Sequence, residues 1–152
     1  MLIGRDVDNL LVPILWNIDY KELNIAKLAW LGDSLYELYI RQLLFLHAGS
    51  NSLLHRRAIH YVNAAFQAKL LRFCLEDNCL NEEEKALVRR AENFRAHSRA
   101  KNQDPQDYQA ATALEALLAY LYLQGKTDKI TAIIGKIAAM EMKEIKDDKE
   151  RR

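Results

Sequence analysis

Proline, glycine and cysteine are all scarce in this chain, at two, five and two of 152 residues. Each shortage excludes something. With so few residues suited to tight turns, a many-stranded β architecture is disfavoured and long helices are expected. Cys74 and Cys79 are too few for a secreted scaffold built on disulfides, and no histidine cluster completes a metal-ligand pattern with them. Cys74, between Leu71 and Leu75, reads as a small core residue. Neither sign of charge is in excess: the formal net charge is +1, so total charge names no partner. No uninterrupted apolar run approaches the ~20 residues of a membrane span. Arg5, Asp6 and Asp8 precede the first apolar run, unlike a signal peptide, and the segment is acidic where a transit peptide is basic. These absences leave a soluble, cytoplasmic, non-membrane protein as the expectation. A chain of 152 residues fits one domain and can bury a core without disulfides or structural metal.

What is present is helical periodicity. Residues 9 to 18 are short and apolar, with Pro13 near the start of a helical turn. Asp19, with Glu22 at capping-box spacing, is expected to cap a helix over 20–47 that is apolar nearly all round and therefore central. Gly49-Ser50-Asn51-Ser52 breaks it. A helix over 53–76 follows, since Leu54, Ala58, Tyr61, Ala65 and Ala68 keep helical spacing. Asn81 caps a further helix to about Phe94, with Glu82, Glu83 and Glu84 in its first turn, where negative charge suits the helix dipole. The pattern then fails to Pro105, predicting a polar loop. Pro105 opens a helix that ends at Gly125, and Thr127 opens a last one to about Lys143. No strand alternation competes and no repeat occurs. The expected fold class is all-α, with one domain over 1–145 and a charged, disordered tail over 146–152.

Against this background two carboxylates stand out. Asp33 is the only charged residue between Lys27 and Glu37, and Glu115 the only one between Asp107 and Lys126. A carboxylate in an apolar helix must find a partner, lose its charge or bind a metal. One such residue is most simply a buried ion pair. Two of them, each among small residues, suggest a shared site: Gly32, Ser34 and Ala29 surround the first, and Thr112, Ala111, Ala113 and Ala116 the second. Small side chains let helices approach closely and leave room for an ion and its waters. Oxygen-only ligands select hard cations, and Mg²⁺ needs few protein carboxylates.

Positive charge is concentrated too. Arg89, Arg90, Arg95, Arg99 and Lys101 face a single acid, Glu92, within thirteen positions, and Arg56 and Arg57 follow His55 in the third predicted helix. Such a run is often a solvated face. In a nearly neutral chain it also fits a phosphate-binding surface, for which arginine's forked guanidinium is well suited. Trp30, Tyr36, Tyr39, Tyr120 and Tyr122 read as core or subunit contact rather than as stacking platforms.

Leu-Gly-Asp-Ser-Leu-Tyr-Glu (31–37) and Thr-Ala-Leu-Glu-Ala-Leu-Leu-Ala-Tyr-Leu-Tyr-Leu (112–123) resemble the two acidic helices of the ribonuclease III catalytic domain. Leu114 and Ala119 stand in place of that family's usual Phe and Gly. Leu54-His55-Arg56-Arg57 with Gln67-Ala68, Glu82-Glu83-Glu84 with Arg89-Arg90 and Asn93, and Lys101-Asn102 with Asp104, Gln106 and Tyr108 are similar to segments of its Mini-ribonuclease III branch. The resemblance covers about residues 24 to 136. Full-length relatives carry further acids where this chain has Ala26, Ala29 and Thr112; the Mini branch lacks them.

The resemblance implies a ribonuclease III-like helical bundle acting as a homodimer on double-stranded RNA, with each of two sites cutting one strand. Asp33 and Glu115 carry over as the catalytic, metal-binding pair, with Mg²⁺ as cofactor and Mn²⁺ as a possible substitute. His55, Arg56, Arg57, Arg89, Arg90, Asn93, Arg95, Arg99, Lys101, Asn102 and Tyr108 are the residues expected to contact RNA. The implied task is maturation of precursor large-subunit (23S) ribosomal RNA, with a large-subunit ribosomal protein as a further partner. Glu92 inside the basic segment, and Gln109 where the family commonly has a basic residue, motivate an alternative: a catalytically silent helical RNA-binding protein of the same fold.

Overall fold

The structure, a computed structural model, describes residues 19–46, 49–94, 102 and 104–151. The apolar segment 9–18 and the basic residues Arg95, Arg99 and Lys101 lie outside the described residues. Among the described residues six helices follow in order: α1 (Ile25–Phe45), α2 (Asn51–Val62), α3 (Ala64–Glu76), α4 (Glu82–Glu92), α5 (Pro105–Leu123) and α6 (Thr127–Glu150). Among the described residues there is no strand, and no helix is long and apolar enough to cross a membrane.

α5 is the hub, packed against α1, α3, α4 and α6. Its sequence is apolar round the whole circumference, and Ala113, Leu114, Ala116, Leu117, Leu118, Ala119 and Leu121 are completely buried. Each such leucine contributes about 1.5–3 kcal/mol of burial. Small residues set the spacing. The closest approach is between Gly32 of α1 and the backbone of Glu115: a Cβ added at Gly32 would lie 1.7 Å from the Glu115 carbonyl oxygen. Only glycine fits there. The crossing of α1 with α5 is therefore fixed one residue before Asp33 and at Glu115 itself.

Three boundaries differ from the sequence expectation. Asp19 does not cap the first long helix; its carboxylate accepts from the Lys21 amide at 2.9 Å within a turn. α1 starts after Asn24, which accepts from Lys27 N at 3.1 Å. The carbonyls of Tyr20 and Leu23 are turned outward to the Arg90 guanidinium, which holds this stretch out of the helix.

The helix expected over 53–76 is two helices, broken at Asn63. Extended at ψ 156°, Asn63 accepts from Phe66 N at 2.8 Å, which caps α3, and donates to His60 O at 2.7 Å, which closes α2. The apolar spacing runs straight through the break, so periodicity hides it. The last helix continues to Glu150, past the expected end near Lys143.

Other ends agree with their residues. Asn81 and Glu84 form a reciprocal capping box on α4. Asp104 caps α5 by accepting from Gln106 N, with Pro105 in the first turn. Gly125, at φ 72°, turns the chain out of α5.

Candidate active site

Asp33 and Glu115 meet. Both line one open pocket of about 380 Å³ at the crossing of α1 with α5, closed on another side by α3. Ala26 and Ala29 line its α1 wall and Ala111 and Thr112 its α5 wall, so the small neighbours of the two acids are what make the space. Thr112 is not free, since its hydroxyl donates to Tyr108 O at 2.9 Å. Tyr108, Phe94 and Trp30 form the rim.

The two acids live differently. Asp33 is exposed, whereas Glu115 is only partly exposed between the helices. Burial pushes the Glu115 carboxyl up from its usual 4.5 to about 8, and the negative charge of Asp33 pushes in the same direction. The nearby Gln67 side chain offsets part of the rise by favouring the carboxylate. Behind the pair, Tyr36 is fully buried. Its hydroxyl donates to Tyr61 O at 2.7 Å, and burial, with Glu115 nearby, holds it neutral. Both acids do stand on helices that build the core, but Asp33 itself faces outward from α1 and Glu115 is only partly covered.

Gln67 is the residue that sequence reasoning missed. It lines the pocket, is only 3% exposed, and is among the few buried polar residues of the described chain. The available signal was an amide inside an apolar run, Ala-Ala-Phe-Gln-Ala-Lys-Leu-Leu, which must find partners if buried.

The basic residues are only partly gathered. His55, Arg56 and Arg57 are exposed on α2, and Arg89 and Asn93 are exposed at the end of α4. Asn93 donates to Arg89 O at 2.9 Å. Asn102 is exposed. Arg90, expected to contact RNA, spends its guanidinium on the carbonyls of Tyr20 and Leu23 and fastens the chain's entry into α1. Of the aromatics, Tyr36 and Tyr120 are core, Tyr39 and Tyr122 are part-buried, and Trp30 is 80% exposed.

Around the pocket stand two carboxylates and Gln67, whose buried Oε1 has no hydrogen-bond partner. Such a set fits a hard divalent cation. Among the described residues no cluster of three or more His, Cys, Asp or Glu forms a denser centre.

Comparison with known proteins places this geometry. The Ribonuclease III domain model matches residues 26–126. Mini-ribonuclease 3 of Enterococcus faecalis is 41% identical over 117 residues, which cover 76% of this chain and 89% of that protein. Mini-ribonuclease 3 of Symbiobacterium thermophilum is 40% identical over 109 residues, covering 70% and 82%. A protein of Fusobacterium nucleatum solved by X-ray crystallography superposes with a TM-score of 0.72 at 29% identity, covering 81% of this chain and 98% of the other.

Proposed function

This chain belongs to the ribonuclease III domain family, on its Mini-ribonuclease 3 side, and from that premise we propose that it is a metal-dependent endoribonuclease for double-stranded RNA whose acidic pair is Asp33 and Glu115. The observation that carries this reading is that these two acids, remote in sequence, line one pocket. In the finer form of the proposal the cation is Mg²⁺, with Mn²⁺ able to substitute. The substrate is precursor 23S ribosomal RNA in the cytoplasm, and a large-subunit ribosomal protein assists.

Asp33 and Glu115 would hold the cation from two helices locked together at Gly32. Held there, a divalent cation would supply polarisation of the scissile phosphate and a bound water of lowered pKa as nucleophile. The chain's own contribution is positioning. The α1–α5 crossing fixes the separation of the acids, and burial of Glu115 raises its affinity for a proton, which a metal would have to displace. Tyr36, held neutral by burial and fixed on Tyr61, keeps a further negative charge out of the site.

Exposed Arg56, Arg57 and Arg89 are the described cations that would meet phosphates, and His55, Asn93, Asn102 and Tyr108 are the further residues that would contact the RNA. Arg95, Arg99 and Lys101 belong to the same proposal. A-form shape, phosphates and 2′-hydroxyls would be read rather than base sequence. Cutting both strands requires two copies, and α1 offers the face for it: Trp30, Leu38 and Phe45 are 80%, 56% and 81% exposed in the single chain.

The test is cleavage of a double-stranded RNA with Mg²⁺ or Mn²⁺. Wild type is expected to cut, and Asp33→Asn and Glu115→Gln to lose cleavage while keeping the fold and RNA binding. Binding without cleavage by wild type across both metals would sink the nuclease reading and leave the silent RNA-binding protein.

A further inference from the structure

The break at Asn63 frees carbonyls that a continuous helix would have used. Each finds a partner. Ile59 and His60 O receive the Asn63 side chain, Tyr61 O receives the Tyr36 hydroxyl, and Val62 O receives Gln67 Nε2 at 3.0 Å. The last of these orients an amide. A carbonyl can only accept, so the Gln67 nitrogen must face Val62 and its oxygen must lie at the other end. That oxygen is buried, without a partner, on a residue that lines the pocket of Asp33 and Glu115. A buried acceptor left unpaired is destabilising. The bond to Val62 accounts for the amide nitrogen but leaves the oxygen without a use inside the fold.

We propose that Gln67 is a positioning residue of the acidic pair: anchored by Val62, it presents its free carbonyl oxygen to the hydration shell of a divalent cation held by Asp33 and Glu115. With only two carboxylates, most of the cation's shell is water, and those waters need acceptors on the protein. Gln67 supplies one from α3, the third wall of the pocket. This inference rests on the metal-dependent reading above.

The test is direct titration of the full chain with Mn²⁺, without RNA, following free Mn²⁺ by electron paramagnetic resonance at pH 8.5, with melting curves alongside. Gln67→Met removes the oxygen and is expected to weaken Mn²⁺ binding about 10–100-fold. Gln67→Glu keeps an oxygen at that position but cannot donate to Val62; it is expected to bind Mn²⁺ at least as tightly as wild type. Both variants lose the anchor on Val62, so a purely structural role predicts that they behave alike. Equal Mn²⁺ binding by the two, whether retained or lost, overturns the proposal. Should Gln67→Met not fold, Gln67→Asn, which withdraws the amide by one methylene, replaces it with the same expected split from Gln67→Glu. Asp33→Asn separates the two levels of argument. If it abolishes Mn²⁺ binding while the Gln67 variants are indistinguishable, only the role of Gln67 fails. If wild type itself binds no Mn²⁺, the metal-dependent reading falls, and this inference with it.

Discussion

Helices α1 and α5 cross at a single point and carry one acid each, yet the chain treats them unequally. α5 is packed on most of its circumference and open only at the pocket, so Glu115 bears a cost of burial and its carboxyl is pushed up to about 8. α1 buries Leu28, Leu35, Tyr36 and Ile40 on one side and leaves Trp30, Leu38 and Phe45 in solvent on another. Asp33 sits on that half-open helix and is exposed. The lesson concerns division of labour. The enclosed helix can hold a costly charge in place because its neighbours over-determine its position. The half-open helix keeps a second acid accessible, and in the proposed dimer its apolar stripe is what a second copy covers.

The most direct way to break the comparison is to force the two helices apart. In Gly32→Ala the new Cβ would lie 1.7 Å from the Glu115 carbonyl oxygen, and the obstacle is backbone, which cannot swing aside. Destabilisation on the order of 3 kcal/mol or more is expected, as for other overpacked cores, with cleavage lost as well. A urea melt checks the first and the RNA assay the second. An unchanged midpoint would mean that the crossing is looser than its geometry states.

The next test concerns the open side of α1. Phe45→Asp and Leu38→Asp place charge on an apolar stripe without touching this chain's own core, because both side chains are more than half exposed. Each is expected to leave the helical circular dichroism intact and convert a dimer to a monomer in sedimentation, with cleavage of both strands lost. An equivalent substitution inside α5, Leu117→Asp, is expected to unfold the protein instead, which is the contrast between the two helices in its plainest form.

Much of this was legible in the sequence, for identifiable reasons. α5 announced itself by a long apolar run with one acid, a proline start and a glycine end. The capping box at Asn81 and Glu84 is a local device, and local devices survive translation into structure. What was hidden depends on contacts between distant residues. The division of α2 from α3 follows from Asn63 satisfying two helix ends at once, while the apolar spacing continues across it unchanged. The delayed start of α1 follows from Arg90, which lies far along the chain and takes the carbonyls of Tyr20 and Leu23. Exposure of Asp33 could not be read from apolar neighbours, because those neighbours face in several directions round one helix. Gln67 was visible as a residue but not as a member of the site, since only the break at Asn63 gives its amide an anchor.

The unequal burial of the two acids makes a prediction about pH. Glu115 holds its proton in the folded chain up to about pH 8 but releases it near 4.5 when unfolded. Between those values the folded state binds more protons, so without metal stability falls as pH rises through this window. Glu115→Gln is expected to flatten that decline and raise the metal-free melting temperature at pH 8 by a few degrees, corresponding to about 1 kcal/mol or more. Asp33→Asn removes the neighbouring negative charge but not the burial, so it should flatten the decline only in part. Melting curves from pH 5 to 8.5 in chelator decide this. Identical slopes for the two variants would show that charge repulsion, not burial, governs the site.

The smallest expected effect separates two arginines that sequence alone treats alike. Arg56 is exposed on α2 with no ion-pair partner among the described residues, whereas Arg90 is tied to two backbone carbonyls at the start of α1. If Arg56 meets phosphate, Arg56→Ala should leave the melting temperature unchanged and weaken RNA binding by about 1 kcal/mol. The salt dependence of binding should then be shallower by roughly one counterion. Arg90→Ala should do the opposite: two carbonyls lose a charged donor, melting falls by an amount equivalent to about 1–3 kcal/mol, and the salt slope stays as in wild type. Measuring binding between roughly 50 and 200 mM salt for both variants reads this directly. A shallower slope for Arg90→Ala would mean that its guanidinium leaves the α1 entry to meet RNA, and the half-open helix would then be coupled at its first turn to the substrate as well as, at its middle, to the metal site.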